Sequence, residues 1–111
     1  MPTLFTRIIN GEIPSTKVHE DDRCVAFRDV SPVAPLHVLV VPRQELTRLD
    51  QMTEADEPLV GHLLRVAAQV AHDEGMKDFR VVINNGAGAG QSVFHLHVHV
   101  IGGRSLSWPP G

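Results

Sequence analysis

From Val93 to Ile101 the chain reads Val-Phe-His-Leu-His-Val-His-Val-Ile, an alternation of apolar residues with His95, His97 and His99. Residues two apart on an extended strand share a face. The pattern therefore predicts a strand over residues 94–101, with three imidazoles on one side and Phe94, Leu96, Val98 and Val100 on the other. Each imidazole carries two polar nitrogens that need partners, so histidine is a poor filler for a repeated strand position. Immediately upstream lies Asn84-Asn-Gly-Ala-Gly-Ala-Gly-Gln-Ser92, where N–H groups around Gly88 to Ser92 and the Ser92 hydroxyl can meet an anion. Imidazoles joined to such a cradle point to chemistry on a phosphate.

The remaining elements supply a scaffold for that strand. Leu4, Phe5, Ile8 and Ile9 recur at helical spacing before Gly11, predicting a short helix over residues 3–10. Short strands are expected over residues 17–20 and 24–29, joined by the charged run Glu20-Asp21-Asp22-Arg23. In the second of them Asp29 shares a side with Phe27. Pro32 and Pro35 exclude helix before the almost wholly apolar strand 36–41, which His37 interrupts. Thr53 with Asp56 marks the start of a long helix and Gly75 its end. Its apolar residues, Leu59, Val60, Leu63, Leu64, Val66, Ala67, Val70 and Ala71, cover an arc of about 160° at ~100° per residue. That breadth hints at a second packing partner. His62 and His72 fall on the polar side and read as solvated, as does His19. A strand over 79–84 pairs with the histidine strand through a glycine-dense connection, longer than the two to five residues of an ordinary hairpin. The expected class is α+β: a mainly antiparallel five-stranded sheet with one long and one short helix, in one domain over 1–111, with 102–111 as a tail.

Composition bounds the partners. With 111 residues and a net charge of -3, the chain offers no basic surface for nucleic acid. No apolar run reaches the ~20 residues needed to cross a membrane. Cys24 is the only cysteine, excluding an intrachain disulfide and a cysteine-based zinc knuckle. A cytoplasmic location is expected. Zinc is a rival use for the histidines. At about 3.3 Å per residue, however, the Cα atoms of His95 and His99 lie about 13 Å apart on a flat strand, too far for one ion. A site built from two of them with His37, and Asp29 as carboxylate, stays open. The other use is nucleophilic attack by a neutral ring nitrogen on phosphorus, with donors already placed for the developing charge and no metal required.

The run Gln91-Ser-Val-Phe-His-Leu-His-Val-His-Val100 resembles the signature of the histidine-triad family. The likeness extends through Ile8-Ile-Asn-Gly-Glu-Ile-Pro14, Asp21-Asp-Arg-Cys-Val-Ala-Phe-Arg-Asp29, Ala34-Pro-Leu-His37 and Trp108-Pro-Pro-Gly111. It is greatest to the nucleotide-binding, purine nucleoside phosphoramidase-like branch. The resemblance implies a homodimer with one sheet continued across both subunits, and hydrolysis of AMP– or GMP–amine conjugates without a cofactor or metal. His97 matches the transiently nucleotidylated nucleophile, His99 and Ser92 the groups around the α-phosphate, and His95 a hydrogen-bonding support for His97. His37 completes the polar set. Asp29 matches the ribose-binding carboxylate, and Leu4, Phe5, Ile8, Phe27 and Val30 the nucleobase pocket. Asn84 and Gly90 match phosphate-side positions, and Trp108 a tail residue that reaches the partner's site. Some bacterial relatives hold a structural zinc through a cysteine pair where this chain has Thr3 and Thr6, so that zinc is not expected. Alternatives are hydrolysis or nucleotidyl transfer on dinucleoside polyphosphates, and a nucleotide-responsive binding protein whose catalysis is incidental. The residues do not identify the amine or the preferred purine.

Overall fold

The computed structural model describes residues 1–111. In chain order its elements are α1 (Leu4–Ile9), β1 (Lys17–Glu20), β2 (Cys24–Arg28), β3 (Leu36–Pro42), α2 (Glu57–Asp73), β4 (Phe79–Val82) and β5 (Val98–Gly102). The strands form one antiparallel sheet in the order β1-β2-β3-β5-β4, so the α+β class and the five-stranded count are as expected. No helix is long and apolar enough to cross a membrane.

Strand alternation divides the core in two. Cys24 and Ala26 of β2, Val38 and Val40 of β3, and Val98 and Val100 of β5 face α2, meeting Leu63, Val66 and Val70. Val25, Phe27, Leu39 and Val41 face the opposite way and pack under Phe5, Ile8 and Ile9 of α1. The two covers differ in reach. Helix α2 has 17 residues, whereas α1 has 6 and so spans about 9 Å at 1.5 Å per residue. Five strands about 4.8 Å apart are on the order of 19 Å across. Helix α1 therefore roofs only the β2–β3 side of its face and leaves the flank carrying His99 open. The sheet alone does not cover all of α2's apolar arc either: Leu64 is 43% exposed.

Three local expectations are corrected. The strand predicted from residue 94 begins at Val98, because the β3–β5 register that pairs Val40 with Val98 would next bring Pro42 opposite Leu96. Proline has no N–H for the ladder. The Leu96 N–H turns instead to the Leu46 carbonyl, 2.7 Å away. Phe94 is consequently 46% exposed and not part of the core face. Likewise β4 ends at Val82, short of Asn84. The Thr53–Asp56 pair is present, with the Thr53 N–H donating to Asp56 Oδ2 at 2.9 Å, but it opens a 3₁₀ turn (Glu54–Asp56) before α2 proper.

His62 is not solvated, and His19 is only half-buried. His62 is buried and its Nε2–H donates to Asp21 Oδ2 at 2.7 Å, while its Nδ1 accepts from Arg23 at 3.0 Å. His19 reaches the same carboxylate at 2.7 Å, and the backbone N–H groups of Arg23 and Cys24 donate to Oδ1. Burial opposes ionisation of Asp21, but these hydrogen bonds, led by that of His19, hold its carboxyl well below the usual range. Burial, with Asp21 alongside, pushes the Cys24 thiol up to about 12, which leaves it unreactive. Within the charged run at 20–23, Asp21 is thus a hub tying the β1–β2 hairpin to α2.

Leu63 is fully enclosed between α2 and the sheet. Leu63→Ala should lower unfolding free energy by about 2–5 kcal/mol. In urea this should appear as an earlier midpoint with an unchanged slope.

Candidate active site

On the half-roofed face, α1, the turn after β2 and the start of β5 enclose a cleft of about 480 Å³. Leu4, Phe5, Ile8, Phe27, Asp29, Val30, Ser92, His97 and His99 all line it. Phe5 and Phe27 meet edge to face at 5.6 Å, and the Phe5 ring lies edge-on to His97 at 4.9 Å. The inner end is therefore apolar and the β5 end carries the imidazoles. Ile13, Leu39 and Val93 complete the apolar wall. Leu39 was legible in principle, since it shares a face of β3 with His37. A larger and more open recess of about 720 Å³, between the end of α2 and the strand ends at Phe79 and Gly103, contains no histidine.

Each ring's partners define which nitrogen carries its proton. His97 Nδ1–H donates to the His95 carbonyl at 2.8 Å, leaving Nε2 with a free lone pair. The support from His95 thus comes through its backbone. Its own ring, buried behind the cleft, donates from Nε2 to the Pro42 carbonyl at 2.8 Å and accepts at Nδ1 from Thr3 Oγ1 at 2.6 Å. His37 Nδ1 accepts from the Val33 N–H at 3.1 Å, so its Nε2 carries the proton and donates to His99 Nδ1 at 2.9 Å. Asp29 Oδ2 lies 3.4 Å from the same His37 Nε2. Accepting at Nδ1 leaves His99 with an Nε2–H donor. His97, just before β5, and His99 within it thus differ: His97 offers a lone pair, His99 a proton, with ring centres 5.0 Å apart.

Asp29, His37 and His99 bring three potential metal-ligand atoms within 4.8 Å of one another. A metal-bound imidazole normally donates its second nitrogen's proton to an acceptor. His37 Nδ1 instead receives a proton from Val33, so its Nε2 lone pair is not available. The donor set fits a hydrogen-bonded chain better than an ion.

The glycine-rich loop departs from the expected cradle. The N–H groups of Ala89, Gly90 and Gln91 donate back to Gly86 and Ala87 carbonyls, so no run of successive free amides is left there. The fold-back requires Gly86 at φ +91 and Gly90 at φ +98, a left-handed backbone region that a side chain would strain. Asn84 packs beside Gly90, and both lie outside the cleft lining. Ser92 is the loop's contribution to the cleft. Trp108 is 82% exposed and is also away from it.

Residues 10–106 match the HIT domain family model. The chain belongs to the HIT family. A HIT-like protein of Synechocystis is 56% identical over 110 residues, which cover 98% of this chain and 96% of that protein. Among solved structures, a HIT family hydrolase from Legionella pneumophila superposes with a TM-score of 0.96 at 40% identity, covering 99% of this chain and all of that one. A histidine triad protein from Clostridium difficile gives 0.90 at 44% identity, covering 94% and 92%. This HIT domain thus shares family and fold with proteins described as hydrolases.

Burial comes first among the causes that hold the three strand-side imidazoles neutral. It lowers His95 and His97, and it brings His99 down to about 4, helped by the neighbouring His97 and His37 and opposed by Asp29. The unfolded chain, with these rings near 6.5, binds more protons, so stability rises with pH. Between about pH 4 and 6.5 the urea midpoint should climb and then level off. The slope should be shallower in His99→Asn.

Proposed function

We propose that this HIT protein hydrolyses purine nucleoside phosphoramidates through a nucleotidyl-histidine intermediate. The observation that carries the reading is the 2.8 Å bond from His97 Nδ1–H to the His95 carbonyl, which presents a neutral Nε2 lone pair at a cleft with one apolar end. A nucleophile at neutral pH needs its lone pair free and its other nitrogen engaged as a donor. As His97 Nε2 bonds the α-phosphorus the P–N bond breaks, and the departing nitrogen takes a proton from solvent and leaves as the neutral amine, while His99 keeps its Nε2–H. Water then attacks the phosphohistidine, which restores neutral His97 and releases the nucleoside monophosphate and a proton to solvent. Ser92 and His99 hydrogen-bond the phosphoryl oxygens, where charge builds. The purine occupies the slot of Leu4, Phe5, Ile8, Phe27 and Val30. Asp29 accepts hydrogen bonds from the ribose hydroxyls, with the Asn84–Gly90 side of the loop behind the phosphate.

The same reading places the chain in the cytoplasm as a homodimer joined along β4. That strand is a sheet edge with Phe79 and Val81 37% and 38% exposed, and an apolar edge calls for a partner. Trp108 of each copy would then approach the other's cleft. Sedimentation of the chain should give twice the monomer mass, and Val81→Lys should shift it toward monomer.

Turnover of an AMP–amine should fall on the order of 10³-fold or more in His97→Ala. Intact-mass measurement on wild type should reveal a short-lived nucleotidyl adduct at His97. Equal, negligible rates in the two proteins would favour a nucleotide-binding role, and preferential turnover of diadenosine polyphosphate would favour the other hydrolase chemistry.

A further inference from the structure

His95 is wholly buried and does not line the cleft, yet both of its ring nitrogens are engaged. Its backbone lies outside the sheet ladder, which ends at Val98, so strand pairing does not set its orientation. The peptide unit joining His95 to Leu96 is held from two sides instead. Its carbonyl accepts the His97 Nδ1–H at 2.8 Å, and its N–H donates to Leu46 at 2.7 Å. The His95 ring anchors the same residue through Pro42 on one nitrogen and Thr3 on the other.

Thr3 has one hydroxyl proton, and its neighbours decide where that proton goes. Its Oγ1 accepts the Thr6 N–H at 3.0 Å as the cap of α1. The Thr6 hydroxyl donates to Glu45 Oε2 at 2.8 Å, and the Thr3 N–H donates to the same oxygen at 3.0 Å. Thr6 Oγ1 lies 3.2 Å from the Thr3 hydroxyl, but His95 Nδ1 is nearer at 2.6 Å and, with the ring proton committed to Pro42 through Nε2, needs a donor, so it takes the Thr3 proton. Glu45 directly precedes Leu46, so the residues that seat Thr3 also seat the 95–96 peptide.

We propose that Thr3 is a positioning residue of the active site: by donating its hydroxyl proton to His95 it fixes the 95–96 peptide plane, and through that carbonyl keeps the proton of His97 on Nδ1. The inference rests on His97 being the nucleophile only for its effect on rate; the effect on ring protonation stands apart from any activity. A hydroxyl is required, because an apolar side chain leaves Nδ1 of His95 buried without a donor. Serine suffices.

The experiment compares wild type with Thr3→Val, Thr3→Ser, Thr3→Asp and Thr6→Val. Long-range ¹H–¹⁵N spectra of the imidazoles read the protonated nitrogen of His95 and His97, and steady-state turnover of an AMP–amine reads kcat and KM. In Thr3→Val the His97 signals should move from pure Nδ1–H toward a mixture. Its kcat should fall about 10- to 100-fold, the scale of a small misplacement of a reacting group, with KM within about twofold. Thr3→Ser should restore both. Thr3→Asp keeps a good helix cap but has no proton to give, and should turn His95 into the doubly protonated form at neutral pH. Thr6→Val breaks the Glu45 contact of α1 while leaving the Thr3–His95 bond, so it should lower thermal stability without moving either readout.

A folded Thr3→Val with unchanged His97 protonation and kcat would overturn the proposal. Should Thr3→Val not fold, a Thr3→Asp in which His95 stays neutral would overturn it equally. If wild type turned over no phosphoramidate, the functional reading would fail while the spectra still decided the role of Thr3.

Discussion

The proton on His97 Nδ1 is bound to a backbone carbonyl, and the chemistry of the cleft descends from that contact. An imidazole free to exchange its proton between nitrogens would present a lone pair only part of the time. A carboxylate partner would fix the tautomer too, but it would place a negative charge beside an incoming phosphate. A carbonyl fixes the ring at lower electrostatic cost. The contact depends in turn on Pro42: because proline cannot continue the ladder, the chain joins the sheet only at Val98, just after His97, and the His95 carbonyl can bend onto the ring two residues ahead.

The second ring reaches the complementary state by a different route. Val33 donates to His37, His37 donates to His99, and the proton left over faces outward on His99 Nε2. Two identical side chains two residues apart thus become an acceptor and a donor. Neither depends on its intrinsic basicity; the sign is imposed by backbone groups at either end of the relay. Burial keeps both rings uncharged, so the pair does not repel itself.

Much of this architecture is written locally. The alternation of Cys24 to Arg28, the apolar run of β3 and the stop at Gly75 each depend on near neighbours, and each is found where periodicity places it. The same holds for the cleft residues Phe5, Ile8 and Phe27, whose faces follow from helical and strand spacing. What local pattern misses is decided at long range. Nothing near Phe94 or His95 says that their strand is missing; the reason is Pro42, 53 residues away from His95. His62 lies off the apolar stripe of α2 and reads as solvated, because the period takes no account of the hairpin folding over that side with Asp21. The loop at 86–91 is rich in glycine for its own turn geometry as much as for any ligand.

The Asp21 hub bears on how the outer part of the sheet moves. Strand β1 is an edge with a single neighbour and little apolar cover, the kind of element that ordinarily frays. Here its turn is bolted to α2 by His62, to β1 itself by His19, and to the end of β3 by Arg43, whose Nε–H donates to the Asp21 carbonyl at 2.8 Å. Opening the hairpin means stripping a half-buried carboxylate of its hydrogen bonds and breaking into the helix layer together. Solvent exchange at the amides of Arg23 and Cys24 would then report the opening of the whole domain, as amides in the middle of the sheet do.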